Sequence, residues 1–202
     1  MMILRASQTA AAMVVTLLLV GCSHDTATLT LHPQGQSVAF AKTFSHAYVG
    51  KDADGSYACV LVSDDAPAVA AASDKSLSSA DAAPLRQVVH IKVLWRPLNG
   101  LRDSVASNAA IDWYVMSTAG GDDLLLYQGA GTVTFTPDGD HAKVNIRSAD
   151  LKPALTRGGL KDPIGNATIT GAFTAKSNNK EMKQLLAGTR ERLATVASGS
   201  GG

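Results

Sequence analysis

The chemically versatile side chains of this sequence are five histidines, two cysteines and a few closely spaced carboxylates, and their spacing limits what they can do. His24, His32, His46, His90 and His141 are scattered, and no two stand at the short intervals from which metal ligands are assembled. Asp52-Ala53-Asp54-Gly55 begins like a calcium loop, but the glycine comes too early and no glutamate follows to complete the oxygen shell. It is read as a plain turn. Gly129-Ala130-Gly131 lacks the third glycine and the following helix that cradle a dinucleotide. Gly120-Gly121-Asp122-Asp123 places two acids side by side in a turn, where water solvates both. No nucleophile elbow, H-E-x-x-H, P-loop or C-x-x-C is present. A hydrolase would have to draw on Asp112, His90 or Cys59. Cys59 sits in Tyr57-Ala58-Cys59-Val60-Leu61-Val62, where no neighbouring base or cation lowers a thiol pKa, so it is expected as a small buried core residue. His90 is expected on the solvated face of a strand. The sequence predicts no catalytic residue, no metal site and no cofactor.

The other cysteine carries a different message. Residues 1–5 hold one positive charge, residues 10–20 form an apolar run of eleven, and Leu19-Val20-Gly21-Cys22 closes it. Eleven residues fall short of the ~20 that span a bilayer as a helix, but match the ~7–15 of a secretory h-region. The order of charge, apolar core and Leu-Val-Gly-Cys resembles the signal peptide and lipobox of bacterial lipoproteins. That resemblance covers residues 1–22 only and implies cleavage before Cys22 and acylation of Cys22. More than one chain on that cysteine implies stable attachment, since a single acyl chain holds a membrane only marginally. It also implies a cell-envelope location, and Ser23 after the cysteine implies the outer membrane where Gram-negative sorting applies. Asn166-Ala167-Thr168 matches a glycosylation sequon, which carries little weight in a bacterial lipoprotein.

Residues 1–21 are therefore read as signal peptide, 22–27 as a lipidated tether, 28–197 as one domain and 198–202 as a flexible tail. The 181 residues left after cleavage suffice for one sizeable core. Charge is uneven: thirteen acids and seven bases from Cys22 to Asp140, four acids and ten bases from His141 to Gly202. Interleaving of the two parts in one fold would neutralise both. Near neutrality and the lack of basic residues interleaved with exposed aromatics argue against a nucleic-acid partner.

The remaining pattern is mostly period two. Thr28-Leu29-Thr30-Leu31 alternates, and His32-Pro33-Gln34-Gly35 turns the chain. Residues 37–48 are apolar but ambiguous between strand and helix. Strands are expected at 57–62, at 86–96 with Val89, Ile91, Val93 and Trp95 on one face, and at 111–116. Further strands are expected at 124–127, 132–136, 143–147 and 168–174, with Pro137-Asp138-Gly139-Asp140 as a hairpin turn. Residues 64–84 read as an exposed Ala/Ser-rich connector, whose composition fits a loop or a short Ala-rich helix, and 151–162 as irregular. Asn178 is an expected N-cap for a helix whose Met182, Leu185, Leu186, Leu193 and Val196 share a face. Leu124, Leu125 and Leu126 are apolar on both faces, so that helix is expected to cover them. The fold class is mainly β: an antiparallel meander of about seven or eight strands, as a β-sandwich or a partly open barrel, with a C-terminal amphipathic helix.

Three functions fit. The first is a non-catalytic, membrane-anchored envelope lipoprotein that binds a lipid or other apolar ligand, the second a structural or interaction β-module for an envelope protein, and the third a hydrolase. A carrier is expected to keep a lined cavity, and a scaffold a filled core.

Overall fold

The computed structural model describes residues 26–65, 85–94, 107–118 and 122–198. In chain order these form β1 (Ala27–Pro33), β2 (Phe40–Phe44), β3 (His46–Lys51), β4 (Tyr57–Asp65), β5 (Leu85–Val93), β6 (Ala109–Ser117), β7 (Leu124–Asp138), β8 (His141–Arg157), β9 (Ala167–Ser177) and α1 (Asn179–Ser198). The expected lipobox, most of the 64–84 connector and the last four residues lie outside the described residues.

Strands β3 to β9 close into a seven-stranded barrel. β9 completes it by pairing antiparallel with β8 and, at Tyr48↔Lys176 and Val49↔Ser177, parallel with β3. The architecture is thus a barrel and not a sandwich, and one of its pairings is not antiparallel. Closure removes the free edges that an open meander exposes. The β1–β2 hairpin is an addition. β1 takes the part of the β9 edge that β3 leaves free (Thr30↔Thr170 to Pro33↔Ala167), and the chain changes partners at Ser45, whose hydroxyl donates to the Val62 carbonyl at 3.1 Å.

Alternation along the strands produces two apolar layers. Inward side chains, including Leu29, Phe44, Cys59, Leu61, Ile91, Ile111, Trp113, Ile146 and Ile169, fill the barrel at 0–1 % exposure. A barrel of about eight strands is only just wide enough for its side chains, and seven make it narrower still. Within it Phe44 meets Trp113 edge-on at 5.8 Å, and Trp113 meets Tyr127 at 6.2 Å. The connection after β8 folds back over one end of the barrel. Ile164 joins the interior core, and Asp162 accepts hydrogen bonds from the Tyr127 hydroxyl (2.5 Å) and the Ile164 and Gly165 amides.

The second layer is outside. Val60 and Val62 of β4, Val88 of β5, Tyr114 and Met116 of β6 and Leu124 of β7 pack against Met182, Leu186 and Val196 of α1. Each such side chain contributes about 1.5–3 kcal/mol when fully buried. This is why Leu124 and Leu125, facing opposite ways, are both buried. The helix start is pinned to β3. The Glu181 amide donates to Asn178 Oδ1 (3.1 Å), the expected N-cap, and the Lys51 amide donates to Asn179 Oδ1 (2.9 Å).

Several expected boundaries differ. Residues 37–48 yield two strands rather than one segment. The separate strands expected at 124–127 and 132–136 are one, β7, running through Gly129 and Gly131, where a Cβ would meet the Asp150 carbonyl oxygen at 1.8 Å and the Ala149 Cβ at 2.2 Å. Glycine here permits close approach of β8 rather than a turn. The stretch from 151, expected as irregular, continues β8 to Arg157. The charge-rich parts do interleave: Lys143 pairs with Asp138 at 2.8 Å, and Arg190 approaches Asp52 at 3.9 Å.

Candidate functional site

The largest described inward side chains are buried at 0–1 % exposure, and the polar side chains gather instead on the outer wall beside α1. The apolar strip under the helix is flanked by polar groups on both sides, because the outward residues of β5 (Arg86, Val88, His90, Lys92) and β6 (Asp112, Tyr114, Met116) change from polar to apolar and back.

On one flank lies a charged cluster. His90 and Asp112 are cross-strand partners, with Nδ1 and Oδ2 3.9 Å apart. This corrects the expectation of a solvated histidine: between β4 and β6, His90 is only 6 % exposed. Its Nε2 is buried without a hydrogen-bond partner. Burial works to raise the Asp112 pKa, but His90 and the hydrogen bond from Gln128 Nε2 (2.9 Å) outweigh it and hold the carboxylate below its usual range. Tyr114, buried and next to that charge, is pushed up to about 12. Beside them, in the turn after β3, Lys92 Nζ reaches Asp54 at 2.7 Å and Asp52 at 3.6 Å. The hydrogen bonds from Lys92 and Ser56 hold Asp54 well below the carboxylate range. The Asp52-to-Gly55 segment is a turn, as expected: the Gly55 amide donates to the Asp52 carbonyl at 3.0 Å, and Gly55 has φ 80°.

Chemically, this flank places a histidine beside a carboxylate at 3.9 Å, a charge contact longer than the hydrogen bond by which a catalytic base is oriented. Among the described residues no hydroxyl or thiol hydrogen-bonds to Nε2. Cys59, the third residue of the catalytic alternative, points into the barrel on the opposite side of the wall, fully buried, and burial pushes its thiol pKa up. The structure brings His90 and Asp112 together and leaves Cys59 apart. Among the described residues no group of three or more His, Cys, Asp or Glu is placed to hold a metal ion. His46 stacks on Tyr48 and His141 contacts Asp140, both away from this cluster.

On the other flank a cleft of about 430 Å³ opens between α1 and the β5–β6 wall. Met116 and Leu185 give it an apolar floor, Arg86 and Arg192 bring two guanidinium groups, and Ser117 and Thr118 line its side. Sequence reasoning missed this site. Its members stand at strand ends and on the flank of a helix, and only the crossing of α1 over β5 and β6 brings them together.

No protein-family model, no curated protein and no solved structure matches the chain. Fold and site therefore define its class by geometry: a small closed β-barrel, filled inside, with a helix strapped across its outer wall and a cleft beside that helix.

Proposed function

We propose that this chain is a non-catalytic cell-envelope lipoprotein, held to the membrane through lipid on Cys22, that binds its ligand or partner on the outer face of the barrel and not inside it. The observation that carries this reading is the filled interior. A carrier built on the barrel lumen needs lumen-facing side chains without packing partners, whereas the largest inward side chains here are packed to 0–1 % exposure. Among the described residues a concave surface lies outside, beside α1, and suits a small apolar ligand or an envelope protein. Anchoring rests on the lipobox residues, and no helix among the described residues is long and apolar enough to cross a membrane.

Two measurements test the reading. Cys22→Ser is expected to move the protein from the membrane to the soluble envelope fraction; continued membrane association at wild-type level would overturn the anchor. Native mass spectrometry of envelope-purified protein, with hydrogen exchange mapped onto the strands, locates whatever is bound. Protection centred on α1, β5 and β6 is expected. Protection confined to strands away from the helix, such as β1, β8 and β9, would return the site to the lumen.

A further inference from the structure

We propose that His90 makes α1 a pH-sensitive strap: proton uptake on this one ring loosens the helix from the barrel wall by way of Arg190. The switch is independent of what the outer face binds. Only its effect on the cleft, one wall of which is α1, rests on the outer-face reading.

His90 stands where a charge reaches both the barrel and the helix. On β6 it faces Asp112, which Gln128 of β7 holds, and Tyr114 lies one step along the same face. β4 offers it only the apolar Ala58, Val60 and Val62. On β5 itself Lys92 is two residues on, with its amine 2.7 Å from Asp54 and 3.6 Å from Asp52 in the turn after β3. From α1 comes Arg190, whose Nη2 is 3.9 Å from Asp52 Oδ1. Between pH 8 and pH 5 histidine is the side chain whose charge ordinarily changes. The other groups hold theirs. Burial works to raise Asp52, but the Ala53 amide, His90, Lys92 and Arg190 outweigh it, and Asp52, Asp54 and Asp112 all lie below the usual carboxylate range. Burial pushes Tyr114 up to about 12, and the hydrogen bond to Asp54 raises Lys92. In that window His90 is the member of this cluster that gains or loses a charge.

Which neighbours move with the helix decides the direction. Asp112, Asp52, Asp54 and Lys92 belong to the barrel and face His90 whether α1 is packed or loose, so their effect on a proton cancels between the two states. Arg190 leaves with the helix. Among the described residues it is the α1 cation that acts on both Asp52 and Tyr114. A proton on His90 adds a further cation around the carboxylate to which Arg190 reaches. Lys92 keeps its short contact with Asp54, whereas Arg190, with its side chain 59 % exposed, is the cation that yields. A proton therefore binds His90 more readily when α1 is loose, and by reciprocity the proton weakens the packing of α1. The second ring nitrogen acts in the same direction. Nε2 is buried without a partner. In the charged ring both nitrogens are donors, so Nε2–H lacks an acceptor while α1 is packed, and water admitted by a loosened helix supplies one. The loosened form gains as pH falls through the histidine range.

The test is amide hydrogen exchange of the full chain carrying Cys22→Ser, at pH 8 and at pH 5.5, corrected for intrinsic exchange. Residues 188–194 of α1 are expected to lose protection about fivefold to tenfold at the lower pH, while residues 111–115 of β6 keep theirs. His90→Gln and Arg190→Gln are each expected to remove that difference, and high salt to shrink it. Arg190 is exposed, so its replacement decides the matter even where His90→Gln disturbs the barrel. Equal protection at both pH values, a tighter α1 at pH 5.5, a parallel loss in β6, or a difference that persists in either variant would overturn the switch. None of these outcomes touches the outer-face reading, which fails instead if a bound ligand protects only β1, β8 and β9.

Discussion

Asn108 closes both ends of its amide on one residue: its Nδ2 donates to the Val133 carbonyl at 2.8 Å, and the Val133 amide donates to its Oδ1 at 2.7 Å. Val133 lies beyond the last β6–β7 pair, Ala109↔Gly131, so the side chain just before β6 supplies the hydrogen bonds that a longer β6 would give. Asn108 is 1 % exposed, and neither bond exchanges readily with water. Asn108→Ala leaves a buried amide and a buried carbonyl without partners and is expected to cost about 2–4 kcal/mol, read as a lower urea midpoint at unchanged slope. A loss below about 0.5 kcal/mol would show that β7 holds its course beyond the end of β6 without the clamp.

The Tyr127–Asp162 hydrogen bond ties the connection after β8 to the barrel interior and makes stability depend on acid. Burial works to raise the Asp162 pKa, but the Tyr127 hydroxyl and the Gly165 and Ile164 amides outweigh it, so the folded value lies below the unfolded one of about 3.9. A carboxylate with a depressed folded pKa contributes stability above its unfolded value and loses that contribution as pH falls through the folded one. Tyr127→Phe is therefore expected to destabilise the protein by about 1 kcal/mol at pH 7, after allowance for the partial exposure of Asp162. The difference should shrink in unfolding measured near pH 2.5. A penalty that stays constant across that range would assign it to packing of the ring and not to the charged hydrogen bond.

Local chemistry made part of this structure legible in the sequence. Asn178 caps α1 because its side chain is the right acceptor at the right place, and the Asp138-Gly139 turn forms because Gly139 takes φ 62° at no cost. Leu124 to Leu126 announced a second apolar layer. Long-range pairing was not legible. Gly129 and Gly131 read as a break, although they mark close contact with β8. Pro153 read as irregular, yet it is tolerated in β8 because β9 pairs with that strand only as far as Leu151, so the missing N–H faces no ladder there. The parallel contact between β3 and β9 leaves no periodic trace, and it is what turns a meander into a barrel. His90 alternates like a solvated residue, yet the fold leaves it 6 % exposed. The cleft depends on the crossing of α1 over β5 and β6.

One interior residue runs against the apolar filling of the barrel. Gln87 of β5 is fully buried, and neither Oε1 nor Nε2 has a hydrogen-bond partner; Trp113 Nε1, on the neighbouring strand and the same face, is likewise unpartnered. An unsatisfied buried amide costs about 1–3 kcal/mol, whereas an apolar group of the same shape costs nothing of the kind. Gln87→Met keeps the unbranched outline and removes both polar atoms, so it is expected to raise stability by about 1–3 kcal/mol in thermal and urea unfolding. Gln87→Ala separates polarity from volume, since it removes the same atoms but opens a cavity and should destabilise. A loss of stability in Gln87→Met comparable to that of Gln87→Ala would mean that the amide has a partner in solution, such as a buried water shared with Trp113, and that the polar pair is a built feature of the core.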